Sequence, residues 1–178
     1  MLTRPLEDSK ELIIKFKSLG YDVSHLPVIK IIKQEIKNID LLEFAGIIFT
    51  SANSVKFLDT KKLNKSIYCF CVGSATEKEA LNKGFQNVYA ADGNVNNLKE
   101  IIIQNYNKKK GKLLYVSGEL ITTNLHKQLI DEDYQVERIV NYNVEHITEL
   151  DLKFIDQLKK NMPNICLLYT SDAADESA

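Results

Sequence analysis

The chain has no tryptophan, only three cysteines and no apolar run long enough to span a membrane. Cys69, Cys71 and Cys166 are odd in number and lack C-x-x-C spacing, which argues against a disulfide framework. A reducing, cytoplasmic setting is expected. The opening residues, Met1 to Pro5, show no signal-peptide h-region. The formal net charge is −1, so no basic face for nucleic acid is expected. His25, His126 and His146 are scattered and suggest no metal site. Low-complexity segments are absent too. What remains is a 178-residue chain, 44% hydrophobic and 26% charged, in the range of globular proteins. It can bury one sizeable core or two small ones. The heavy use of Lys, Asn and Ile reads as A+T-rich coding and carries no chemistry.

Three short apolar strands end in small polar residues that are expected to open a helix. Ala45–Phe49 runs into Thr50, Ser51, Ala52, Asn53 and Ser54. Tyr68–Val72 runs into Gly73, Ser74, Ala75 and Thr76, and Leu113–Val116 into Ser117, Gly118 and Glu119. An open parallel sheet binds its ligand outside the carboxyl ends of its strands. Helix N-termini there offer unpaired N–H groups and a positive dipole end. The pattern predicts a cleft lined by hydroxyls and backbone amides, suited to an acidic small molecule.

Along the chain, strand and helix signals alternate. Asp8, with Glu11 three residues on, reads as a capping box for a helix over Ser9–Ser18, stopped by Gly20. Tyr21–Leu26 reads as a strand and Val28–Ile32 as extended. Strands are expected near 46–49, 67–72, 87–90, 113–116 and 135–140, with helices near 52–59, 75–83, 96–106 and 122–132. That series predicts an α/β fold with a parallel, doubly wound sheet. Asn141–Ile147 reads as extended again, and Leu150–Lys160 as a last amphipathic helix. Lys108, Lys109, Lys110 and Gly111 read as a solvated basic turn. Cys69 and Cys71 alternate with Phe70 and read as buried small hydrophobes.

The tail breaks from this composition. Residues 166–178 are similar to one reading frame of a transposase-type sequencing adapter, and a non-native tail is expected there. A native reading makes Ile165–Tyr169 a strand and Thr170–Ser171 a turn. The segment carries Asp172, Asp175 and Glu176 and no base, so the formal charge turns positive without it.

An ordered set of motifs carries a family resemblance. It runs from Thr3-Arg4-Pro5 through Leu26-Pro27-Val28-Ile29 and Ile48-Phe49-Thr50-Ser51-Ala52-Asn53-Ser54-Val55. Val72-Gly73-Ser74-Ala75-Thr76, Lys83-Gly84-Phe85, and the pair Gly93 and Leu98 follow. Tyr115-Val116-Ser117-Gly118-Glu119 and the stretch Tyr134 to Tyr142 complete it. In this order and spacing the chain resembles the uroporphyrinogen-III synthase family. The resemblance implies two flavodoxin-like or Rossmann-like parallel-sheet domains joined by a two-stranded linker. Residues 1–30 and 145–165 would be a discontinuous, incomplete domain, and 36–141 a complete five-stranded one. Family members continue past residue 165, so the resemblance also implies that one wall of the cleft is missing and that this chain is an inactive fragment.

The implied reaction closes hydroxymethylbilane, a linear tetrapyrrole, to uroporphyrinogen III with loss of water and inversion of ring D through a spiro intermediate. The substrate's own pyrroles supply the electrons, so no cofactor and no metal is implied. A monomer acting on this small molecule is expected, with no nucleic-acid or membrane partner. Positioned amides and hydroxyls suffice for such a step. By resemblance Tyr142 is the tyrosine that assists the leaving hydroxyl; the plain alternative is an aromatic packed between domains. Thr3 and Arg4 would face the substrate from the discontinuous domain, or pair structurally near the N-terminus. Thr50, Ser51, Gly73, Ser74, Thr76, Ser117 and Gly118 either grip its carboxylates or only shape turns and cap helices. Glu119 reads as a helix-terminal charge, because a carboxylate would repel an acidic substrate. A non-catalytic α/β module binding a small anion is the alternative function.

Overall fold

The computed structural model describes residues 1–36, 39–149 and 152–167. Residues 168–178, most of the expected non-native tail, lie outside them. Among the described residues the chain divides into two compact units: Met1–Ile32 with the residues from Val144 to Leu167, and Lys33–Asn143.

The larger unit is α/β. Its strands are β2 (Phe44–Phe49), β3 (Tyr68–Val72), β4 (Asn87–Ala91), β5 (Lys112–Gly118) and β6 (Val136–His146). With β1 (Ile29–Lys33) they form a six-stranded sheet in the order β1–β6–β5–β2–β3–β4. The β6–β5–β2–β3–β4 pairs are all parallel. Helices α2 (Ala52–Phe57), α3 (Ser74–Asn82), α4 (Val95–Asn105) and α5 (Leu125–Asp131) follow β2 to β5 in turn. All five expected strands and all four expected helices are present. The central strands read as unbroken apolar runs because both of their faces are covered. On one face Ile47, Phe49, Cys69, Cys71, Leu114 and Val116 pack with Val55 of α2, Leu58 at its C-terminal end and Ala80 of α3. On the other, Ile48, Phe70, Leu113 and Tyr115 pack with Leu98 and Ile102 of α4 and Leu125 and Leu129 of α5. Cys69 and Cys71 are buried free thiols, as expected, with their Sγ atoms 3.8 Å apart.

β6 unites two stretches expected separately, 135–140 and 141–147. The expected linker strands are therefore parts of the sheet itself: β1 is its edge and Tyr142–His146 the second half of β6. The chain leaves one unit within β1, between Ile32 and Lys33, and returns within β6, between Asn143 and Val144.

The smaller unit contains α1 (Leu6–Ser18) and α6 (Leu152–Lys160). α1 starts earlier than the capping-box reading places it. Pro5 is its N-cap, with no side-chain cap, and the Asp8 and Ser9 amides already donate to Pro5 O at 3.1 Å. Asp8 therefore sits inside the first turn, where a carboxylate favours the helix dipole. The expected strand over 21–26 reduces to one bridge, between Leu2 and His25. The partner segment runs straight into Pro5, which has no N–H to extend a ladder.

Candidate functional site

The parallel order reverses between β5 and β2: β3 and β4 lie to one side of that point and β6 to the other. Such a switch point is where an open α/β sheet leaves a crevice at its strand ends. Thr50 follows β2 there, and Ser117 and Gly118 end β5. The Thr50 hydroxyl lies 3.3 Å from the Tyr115 hydroxyl. Tyr115 is 1% exposed, and burial, the largest influence, pushes its phenol pKa up. Tyr115 and Ser117 alternate on the same side of β5.

Arg138 completes this group. Its place in β6 pairs it with Tyr115 across the β5–β6 ladder. Nε donates to Ser117 Oγ at 2.8 Å, and Nη2 donates to Gly118 O at 2.8 Å and Glu119 O at 3.0 Å. Ser117 Oγ in turn donates to Gly118 O at 3.0 Å. All of Arg138's acceptors are neutral, so its positive charge stands uncompensated by a carboxylate among the described residues. That charge suits an anionic ligand.

Tyr142 sits two residues beyond Val140, and one irregularity decides where its ring goes. Ser117 pairs with Val140, but Gly118 pairs with Tyr142, leaving Asn141 as an extra residue in β6. Such a bulge re-aims a side chain. Asn141 is fully buried, and its Nδ2 donates to Ser54 O of α2 at 2.8 Å. The ring of Tyr142 lies over Gly118 and 6.3 Å from the ring of Phe57. Its carbonyl accepts from the Glu119 amide at 3.0 Å.

Thr50 thus meets Tyr115, Ser117 and Gly118 are tied to Arg138 opposite Tyr115, and Tyr142 packs on Gly118. Ser51 caps α2, accepting from the Asn53 amide at 3.2 Å. Gly73 caps α3 with φ +78°, a conformation that favours glycine, and its own amide donates to Ala91 O at 2.9 Å. Ser74 is exposed at the first turn of α3, and Thr76 is buried within it. The third turn differs from expectation. Ser117, Gly118 and Glu119 open a loop, not a helix, because Asn124 caps α5 by accepting from the Lys127 amide at 3.1 Å. Glu119 is therefore exposed on that loop. Thr3 and Arg4 belong to the smaller unit. There Thr3 is buried and donates to Leu167 O at 3.0 Å, and Arg4 O meets the Ser9 hydroxyl and His25 Nε2.

Among the described residues no cluster of His, Cys, Asp or Glu could hold a metal ion, and no helix is long and apolar enough to cross a membrane. Sequence reasoning missed Tyr115 and Arg138. The available signal was an arginine in the same strand row as Val136 and Val140, an apolar row that a charge enters only with partners.

The larger unit is thus a doubly wound α/β unit with hydroxyls at its switch point and, among the described residues, a guanidinium without a carboxylate partner. The chain belongs to the uroporphyrinogen-III synthase HemD family, whose model matches residues 10–176. Two solved structures share the fold. One is a uroporphyrinogen-III synthetase from Helicobacter pylori, at 18% identity and TM-score 0.57, covering 78% of this chain and 64% of that one. The other is a mutant uroporphyrinogen III synthase from the extremely thermophilic bacterium Thermus thermophilus, at 15% identity and TM-score 0.52, covering 89% and 67%. This chain therefore spans less than two thirds of the Helicobacter protein's length. No curated protein sequence matches it.

Proposed function

We propose that the protein is a uroporphyrinogen-III synthase, a cyclising lyase that converts hydroxymethylbilane to uroporphyrinogen III. The observation that carries this reading, beside family membership, is the packing of the Tyr142 ring on Gly118, next in β5 to the Ser117 that Arg138 holds at the strand ends. In this reading the Tyr142 phenol donates to the hydroxyl that leaves as water, and the substrate's pyrroles close the ring. The C–O bond breaks as water leaves, a spiro C–C bond forms and a neighbouring C–C bond breaks to turn ring D over. The macrocycle closes by a new C–C bond, and the proton released from the pyrrole carbon on closure restores the phenol, so no external electron is needed. Thr50, Ser51 and Ser74 face the carboxylates of the substrate. Gly73, Thr76, Ser117 and Gly118 shape those turns. Preorganised donors of this kind stabilise developing charge without reorganisation.

The unit boundaries support a division into a continuous domain over 36–141 and a discontinuous one over 1–30 and 145–165. The reading also takes the protein as a cytoplasmic monomer without a nucleic-acid partner, supported by the near-neutral charge and the free buried thiols. The test is incubation of the whole protein with hydroxymethylbilane, since this chain spans less than two thirds of the Helicobacter protein's length, and chromatographic separation of the product isomers. Type III isomer is expected without added cofactor. Type I alone, the product of spontaneous closure, would overturn the reading.

A further inference from the structure

We propose that Arg138 is a positioning residue: its guanidinium fixes the turn Ser117–Glu119, and that turn fixes the ring of Tyr142. Each link is a short contact. Arg138 donates to three successive residues of the turn, at 2.8, 2.8 and 3.0 Å. The turn then meets Tyr142 twice. The Glu119 amide donates to Tyr142 O at 3.0 Å, and Gly118 lies directly under the phenol ring. The β-bulge at Asn141 makes this possible by setting Tyr142 opposite Gly118 in the ladder.

The geometry requires arginine. Nε must reach a hydroxyl while Nη2 bridges two consecutive carbonyls, which a planar fork does and a single ammonium does not. The hydroxyl of Ser117 is already committed to Gly118 O, so it can only accept from Arg138. Without the fork, the Gly118 and Glu119 carbonyls lose the donor that ties them together. The turn is then free to rotate away from Tyr142. Arg138 needs no contact with substrate for this effect; it acts through Gly118.

The structural arm of the test is independent of any activity. Fluorotyrosine placed at position 142 of this chain gives one fluorine NMR resonance over Gly118. Arg138→Lys is expected to move that resonance by more than its linewidth. Ser117→Ala, which removes only the Nε acceptor, is expected to move it the same way by less, and it serves if Arg138→Lys does not fold. Ile102→Val, a core change on α4 with a comparable loss of stability, is expected to leave it in place. An unmoved resonance in both Arg138→Lys and Ser117→Ala, or the same movement in Ile102→Val, overturns the proposal.

The kinetic arm rests on the synthase reading. Arg138→Lys should lower kcat for type III product by roughly a hundredfold, as a misplaced catalytic group does, with little change in KM. In a Tyr142→Phe background the same substitution should cost almost nothing further. Fully additive losses overturn the proposal. Absence of type III product from the unsubstituted protein overturns only the synthase reading, because the fluorine resonance still decides the role of Arg138.

Discussion

The ring of Tyr142 lies so close to Gly118 that a Cβ at that position would stand 2.6–2.8 Å from the ring carbons and the phenol oxygen. No side chain fits there without moving the ring. A methyl group at position 118 would meet the far end of the Tyr142 side chain and displace it.

Gly118→Ala tests that relationship directly. Ring and backbone must separate, and overpacking of this kind costs about 1–3 kcal/mol. The melting temperature should fall, and production of type III isomer should fall by a larger factor than unfolding explains. Alanine tolerated with unchanged stability and turnover would show that the ring has room to move.

Tyr142→Phe keeps the ring over Gly118 and removes only the hydroxyl. If that hydroxyl assists departure of water, turnover should drop while affinity for uroporphyrinogen product stays within about twofold, because a group that acts only in the transition state leaves ground-state binding alone. Loss at the general-acid level is about a hundredfold or more. Equal losses in turnover and affinity would make Tyr142 a binding residue.

These two residues also show what the sequence reveals and what it hides. The β–α series was legible because each strand is a continuous apolar run and each helix an amphipathic one, both local signals. Thr50, Ser51, Gly73 and Ser74 were legible as strand-end turns for the same reason. Tyr142 came from motif order. Arg138 and Tyr115 escaped notice because their meeting depends on register between β5 and β6, and the ring position of Tyr142 depends on a bulge. Both are non-local. The capping box at Asp8 failed against Pro5, which fixes an earlier helix start. The helix expected at 122 begins at Leu125, where Asn124 supplies the cap.

Away from the site, Tyr106 makes stability depend on alkaline pH. It is 2% exposed, and its hydroxyl donates to Gly111 O at 3.0 Å. Burial above all, then the neighbouring Tyr68 and Tyr134, pushes its phenol up to about 12. An unfolded tyrosine titrates at about 10, so the unfolded state loses its proton first. The stabilisation is therefore complete below about pH 10 and is lost as pH rises towards 12. Urea midpoints measured across that range should fall more steeply for the native sequence than for Tyr106→Phe. At neutral pH the variant should be destabilised by about 1 kcal/mol through the lost hydrogen bond. Parallel curves would show that the ionisation of Tyr106 is not coupled to folding.

The two compact units should also differ in how they open. Both large apolar clusters belong to the Lys33–Asn143 unit, and there Ile47, Ile48, Phe70, Leu113 and Leu114 are fully buried. In the smaller unit the helices and the α1 C-cap leave large apolar side chains in solvent: Ile14 is 69% exposed, Leu19 62% and Leu152 77%. Its pairing around Leu2 consists of isolated bridges to His25 and Leu167. Few buried apolar contacts and short ladders allow sub-global opening at low free energy. Native-state hydrogen exchange should therefore find the amides of β2, β3 and β5 exchanging only through global unfolding. Amides of α1 and α6 should exchange earlier, through openings that depend little on denaturant. The order should survive Gly118→Ala, which weakens the larger unit without exposing its clusters. Equal protection of α1 and β2 would mean that the smaller unit draws its stability from folding together with the larger one.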